Sequence, residues 1–158
     1  MIEKPKKSLG QNYLIDNNIL KLISAAGNVS SQNDIMEIGP GTGKLTEYLC
    51  NLNYNKFVAI EKDNKLYKKL VNQFEQINLI NDDFLKFDLK KINLKNLIIY
   101  GNLPYNVSSQ ILVKLIREFS ENFNFKKLIL MFQKELADRI LAKHNSNAYG
   151  RISIISQW

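Results

Sequence analysis

The chain has 158 residues, 45% apolar and 23% charged, a balance that suits one domain with its own core and excludes a disordered chain. No apolar run approaches the length of a membrane span, and no apolar stretch follows the basic start Met1-Ile2-Glu3-Lys4-Pro5-Lys6-Lys7, so neither a spanning helix nor a secretory signal is predicted. The net charge of +7 favours a polyanionic partner, with a general abundance of Lys and Asn as the alternative, and the lone Cys50 excludes an internal disulfide and fits a reducing cytoplasm.

Apolar strands and amphipathic helices alternate along the chain. Asn17 to Ala26 reads as a short helix with Ile19, Leu20, Leu22 and Ile23 on one side. Asp34-Ile35-Met36-Glu37-Ile38 reads as a strand running into Gly39-Pro40-Gly41-Thr42-Gly43, with a helix from Lys44 to about Leu52. A second strand, Lys56 to Ile60, ends at Glu61, and Leu66, Leu70 and Phe74 mark a helix from Lys65 to Phe74. A third strand, Ile77 to Asn81, ends at Asp82-Asp83-Phe84, and a fourth, Leu97 to Tyr100, leads into Asn102-Leu103-Pro104-Tyr105. Ser108 or Ser109 caps a helix through about Phe119, with Ile111, Leu112, Leu115 and Ile116 inward. Lys127 to Phe132 is a fifth strand and Lys134 to Lys143 a further helix. Arg151 to Trp158 reads as the start of a strand or helix, and its abrupt stop predicts a C-terminally truncated chain.

This alternation predicts an α/β fold with a mostly parallel sheet covered by helices on both faces. Ligands of such sheets sit beyond the carboxyl ends of the strands. Gly39 to Gly43, Glu61, Asp83 and Asn102 all fall at those ends, so one cleft can collect them.

The glycine loop is a cofactor candidate, because glycine lets the backbone approach a ligand and take positive φ. Only Thr42 separates Gly41 from Gly43, shorter than the dinucleotide spacing, and Glu37 precedes the loop. That pattern suits S-adenosylmethionine better than a pyrophosphate cofactor. Glu61 is placed to accept from both ribose hydroxyls, Asp83 from the exocyclic amine of an adenine, and Phe84 to pack on its face. Asn102 to Tyr105 suits a second flat base bearing an amine. The Asn102 side-chain oxygen and the Pro104 carbonyl accept the amine hydrogens, and the Tyr105 ring stacks. No His/Cys/Asp grouping has metal-ligand spacing, so no metal is expected, and the only histidine, His144, reads as a solvated loop residue.

These segments together resemble the ribosomal RNA adenine dimethyltransferases of small ribosomal subunits. Lys6-Lys7-Ser8-Leu9-Gly10-Gln11-Asn12-Tyr13-Leu14 is similar to that family's N-terminal signature, which commonly has Phe at the place of Tyr13. Glu37 to Thr46 resembles its cofactor loop and Asn102 to Ser108 its catalytic motif. Met131 to Glu135 and Tyr149 to Ser153 are similar to its later segments, so the likeness covers essentially the whole chain. The resemblance implies a Rossmann-like class I methyltransferase catalytic domain over residues 1–158. Residues 1–26 would pack over the cofactor site, and the family's last strands and small helical C-terminal domain are absent. It also implies S-adenosylmethionine contacts at Asn12, Leu14, Gly39, Gly41, Glu61, Asp83, Phe84 and Asn102, with Asn102, Leu103, Pro104 and Tyr105 forming the catalytic tetrad.

The implied reaction is methylation of N6 on two adjacent adenosines near the 3′ end of 16S rRNA, by a cytoplasmic monomer acting on a pre-ribosomal particle. Large-subunit rRNA methylases of the macrolide-resistance type tend to have Gly-Ser-Gly-Lys-Gly in the loop and Ile at the place of Leu103, so both sites here favour the small-subunit enzyme. A DNA adenine methylase shares the Asn-Pro-aromatic logic but lacks the Gly10-Gln11-Asn12 block. A non-catalytic rRNA-binding assembly factor is a further alternative. Lys4, Lys6, Lys7, Lys126, Lys127, Lys134, Arg139 and Lys143 are candidate phosphate contacts, with a solvated face as the alternative reading.

Overall fold

The computed structural model describes residues 13–121 and 125–157. Five strands form one sheet: β1 (Asp34–Ile38), β2 (Lys56–Glu61), β3 (Asn78–Asn81), β4 (Leu97–Asn102) and β5 (Phe125–Met131). Their order is β3-β2-β1-β4-β5 and every pairing is parallel. The chain therefore winds outward from β1 in one direction and then restarts at β4 in the other, which leaves a crevice beyond Ile38 and Asn102.

The helices are α1 (Asn17–Ala26), α2 (Lys44–Leu49), α3 (Asn64–Gln73), α4 (Ser108–Glu121), α5 (Lys134–Ile140) and α6 (Arg151–Gln157). Strand alternation sorts them into two layers. On one face Ile35, Phe57, Ala59, Ile98 and Tyr100 pack with Leu20 of α1, Leu45 and Leu49 of α2 and Leu70 of α3. On the other face Met36, Ile38, Ile60 and Ile99 pack with Ile111 and Leu115 of α4 and with Phe84, Phe87 and Leu89 from the segment after β3. Both faces being covered explains why the central strands are largely apolar, with Asp34 and Glu37 of β1 as buried exceptions.

Several bounds differ from the sequence reading. In α1, Leu20 is buried and Ile23 packs beside it, but Ile19 and Leu22 are exposed, so the inward stripe is narrower than the apolar pattern. The α2 helix ends at Leu49 and α5 at Ile140, both short of the expected ends, while residues 151–157 are helical. The fourth strand runs on to Asn102, whose partner is Met131 on β5. A 3-10 turn at Leu89–Lys91 buries Leu89.

The amino edge of the sheet is closed by side chains that replace missing ladder partners. Asp34, buried, accepts from the Asn55 amide side chain at 2.8 Å and the Lys95 backbone amide at 2.5 Å. Asn33 accepts from Ser30 and donates to the Asn96 carbonyl at 3.0 Å. This edge carries no candidate chemistry. The opposite edge does.

Candidate functional site

Three glycines shape the turn from β1 into α2. Gly39, Gly41 and Gly43 have φ of 66°, 62° and 81°, a left-handed conformation that side chains other than glycine rarely adopt. Space beyond the Gly39 α carbon is open to 4 Å, and the Tyr13 ring lies 3.4 Å from where a Cβ on Gly41 would stand. The loop therefore presents bare backbone to a cavity lined by Tyr13, Leu14, Leu20, Gly39, Gly41 and Ile60, among others.

Glu61 laces this loop to the end of β2. One carboxylate oxygen accepts from the Gly41 amide at 2.9 Å and the other from the Asp63 amide at 2.7 Å. The oxygens that the sequence reading gives to the ribose are thus engaged by backbone amides of the loop and of the β2 end. Burial raises the Glu61 carboxyl above the usual range; the amide bonds from Asp63 and Gly41 oppose that, and the charge of Asp63 adds to it. Asp63 itself caps α3, accepting from Lys65 and Leu66 amides at 2.9 and 3.3 Å.

Asp83 stands at the end of β3, half-buried. Its carboxylate accepts from Lys62 Nζ at 2.8 Å and from the Leu85 amide at 3.0 Å. Burial raises its pKa, but the Lys62 and Leu85 bonds and the charges of Lys62 and Lys86 outweigh it and hold the group below the usual range. Phe84, buried, lines the cavity and belongs to the core under α4. Asp82 also lines the cavity and accepts from the Asp83 amide at 2.7 Å.

The tetrad divides. Asn102 and Pro104 line the same cavity as the glycine loop, Glu61, Asp83 and Phe84. The Pro104 carbonyl accepts from the Val107 amide at 3.2 Å, leaving one lone pair of that oxygen for a ligand. Leu103 is 1% exposed with its side chain in the core, so its part in the tetrad is to anchor the turn. Tyr105 is 40% exposed and outside the cavity lining, on the turn that follows Pro104. Asn12, Lys4, Lys6 and Lys7 lie outside the described residues.

Sequence reasoning did not pick out Lys62, which tethers Asp83, nor that Glu37, read only as the acidic residue before the loop, is buried and paired with Thr46. Thr46 donates to Glu37 at 2.7 Å, and among the described residues it is the only hydrogen-bond partner of that carboxyl. Burial pushes the Glu37 carboxyl up to about 8; the Thr46 bond opposes this and the charge of Glu61 adds to it. The signal for Asp63 was available, since an Asp before a helical apolar pattern is a cap. None existed for Lys62, whose role depends on the spacing of β2 and β3.

The cavity's charge is the reverse of the chain's. Glu61, Asp63, Asp82 and Asp83 line it against Lys44 and Lys62, beside the protonated Glu37, in a protein of net charge +7. Such a lining repels a pyrophosphate and suits a ligand carrying positive charge. Among the described residues no group of three His, Cys, Asp or Glu could hold a metal ion.

The parallel five-stranded sheet with this glycine turn is a partial Rossmann-like fold of the class I S-adenosylmethionine-dependent methyltransferase type. The structure superposes on a dimethyladenosine transferase from Plasmodium falciparum with a TM-score of 0.80 at 30% identity, over 92% of this chain and 52% of that one. It superposes on the 23S rRNA methyltransferase ErmE with a TM-score of 0.73 at 24% identity, a likeness of fold. Residues 2–158 match the ribosomal RNA adenine dimethylase family, and the chain belongs to it. Ribosomal RNA small subunit methyltransferase A from Pelagibacter ubique is 45% identical over the full chain, and that from Mycoplasmopsis synoviae 41% identical over 97% of it. The chain spans 60% and 58% of the lengths of these two relatives.

Proposed function

We propose that this chain is the catalytic part of an enzyme that transfers methyl groups from S-adenosylmethionine to N6 of adenosines in small-subunit ribosomal RNA. The targets are two adjacent adenosines near the 3′ end, which become N6,N6-dimethyladenosine. One observation carries this reading: Asn102 and Pro104 from β4 line the same cavity as Gly39, Gly41, Glu61 and Asp83 from three other strand ends. The named relatives, which modify the small subunit's RNA, supply the acceptor class.

The residues fit the cofactor. Bare backbone at Gly39 and Gly41 admits close approach, the acidic lining matches a cationic ligand, and one oxygen of buried Glu37 is left for it. Glu61 would hold the ribose, Asp83 and Phe84 the adenine, and Leu14 with the glycine loop the remainder. S-adenosylmethionine, when bound, supplies a methyl group activated by its positively charged sulfur.

The chain's own contribution is orientation. The exocyclic nitrogen of adenine is a poor nucleophile because its lone pair is delocalised into the ring. The Asn102 side-chain oxygen and the remaining lone pair of Pro104 O accept its two hydrogens and favour a pyramidal nitrogen. Tyr105, exposed beside Pro104, stacks on the target base, which must leave its helix to enter. No strong base is needed, because the amine proton becomes acidic as the new bond forms. The acceptor is a pre-ribosomal particle in the cytoplasm, and the enzyme acts as a monomer. No described helix is long and apolar enough to cross a membrane.

Immature small ribosomal subunits, incubated with the chain and methyl-labelled cofactor, should gain dimethyladenosine, while large subunits and duplex DNA should not. Asn102→Ala should lower the rate on the order of 100-fold, the scale of losing one well-placed polar group at a reacting centre. Near-normal activity in that variant would overturn the role of Asn102.

A further inference from the structure

Lys114 lies on α4, outside the cavity lining, yet its ammonium is fully engaged. Nζ donates to the backbone carbonyl oxygens of Phe84 at 2.8 Å, Leu85 at 3.3 Å and Phe87 at 2.5 Å. An ammonium has three protons and accepts nothing, so these carbonyls saturate it. The same nitrogen stands 5.2 Å from the centroid of the Phe84 ring, within range of its negative face.

The three carbonyls belong to the turn that carries Asp83 and Phe84 out of β3. The amides of Lys86 and Phe87 donate to the Asp83 carbonyl at 2.8 and 2.9 Å, and the Leu85 amide donates to the Asp83 carboxylate at 3.0 Å. Such a turn leaves successive carbonyls at its end without intrachain donors. A cation there satisfies them and complements their aligned dipoles. Burial lowers the Lys114 pKa, while the charges of Glu118, Asp88, Asp83 and Asp82 oppose the shift. Desolvating a lysine head is costly unless every proton finds an acceptor, and here the acceptors are all main chain of one turn. Its geometry therefore fixes backbone, and through the backbone the directions of two side chains in the cavity.

We propose that Lys114 is a positioning residue that aims Asp83 and Phe84 at the adenine of the cofactor and thereby sets selectivity for that base. This rests on the cofactor reading given above. Lys114 touches no ligand and acts through the 83–87 turn alone.

The test is calorimetric binding of S-adenosylhomocysteine and its inosine counterpart, in which the exocyclic amine is replaced by an oxygen. The native chain should prefer the adenosine form by about tenfold or more, the scale of one charge-assisted hydrogen bond. Lys114→Met keeps the apolar stem and removes the three donors; its preference should shrink to about twofold or less. Lys114→Arg should recover part of the preference. A Lys114→Met chain that weakens both ligands equally, with the ratio unchanged, overturns the proposal, because a purely structural lysine would do that. If Lys114→Met does not fold, Lys114→Gln, which keeps a polar head without the charge, decides by the same ratio. A native chain that binds both ligands without preference overturns the positioning role only. A native chain that binds neither overturns the cofactor reading and this proposal with it.

Discussion

Glu37 is the residue whose state at neutral pH is least ordinary. It is 2% exposed, with Thr46 its hydrogen-bond partner and Glu61 close enough for their charges to interact, and its carboxyl is pushed up to about 8. It therefore keeps its proton at neutral pH. The consequence for stability has a definite sign. Below the ordinary value of 4.5 the carboxyl is protonated in folded and unfolded chains alike, and nothing is lost. As pH rises from 4.5 towards about 8 the unfolded chain releases a proton that the folded chain retains, so stability falls throughout that window. Glu37→Gln preserves the acceptor for Thr46 and cannot ionise. Its melting temperature should fall less steeply than the native chain's between about pH 5 and pH 8, the interval bounded by the two pKa values. Glu61 is shifted in the same direction, so part of the slope should remain. Identical slopes in the two proteins would assign the dependence elsewhere.

Among the elements, the glycine loop and α2 show how tightly a turn is specified. A Cβ on Gly43 would stand 2.6 Å from Phe74 Cε2 and 2.9 Å from Leu70 Cδ2, both on the α3 side of the core, and φ there is 81°. Gly43→Ala should destabilise the chain by about 1–3 kcal/mol through backbone strain and overpacking, read as a lower midpoint in chemical denaturation. An unchanged midpoint would mean that the loop relaxes freely. The same junction shows which parts of the fold were legible. Strands β1, β2 and β4 were readable because both their faces are buried and most of their residues are apolar, with Glu37 a buried exception inside β1. Helix α3 was readable because Leu66, Leu70 and Phe74 recur at its period. Glu61 and Asn102 stood out because they end β2 and β4, and Asp83 because it follows β3. The narrow inward stripe of α1 was not readable, since Ile19 and Leu22 are as apolar as Leu20 but fall on the exposed side. Nor was the split within the tetrad: Leu103 and Pro104 are neighbours, and only the turn after β4 decides which faces the core and which the cavity.

At the scale of the molecule, charge is sorted by place. A chain of net +7 gathers four carboxyls besides the protonated Glu37 against two lysines around one cavity. The outside suits a polyanion and the inside a small cation, so the two proposed ligands do not compete for one field. A ligand that binds only the folded chain stabilises it by about 2.7 kcal/mol at a hundred times its dissociation constant. For a domain of this size S-adenosylmethionine at that excess should raise the melting temperature by roughly 5–10 °C. No shift would remove the cofactor reading and leave the fold untouched.

Helix α4 joins two turns of this cavity's lining mechanically. It starts at Ser108, directly after the turn that holds Asn102 and Pro104, and it carries Lys114 to the turn that holds Asp83 and Phe84. Six residues of helix separate the two attachments, a rise of about 9 Å. The helix is thus a ruler laid between the two turns. A stiff segment fastened at Ser108 and at Lys114 keeps the two turns at one separation across the cavity they both line while the loops around them breathe.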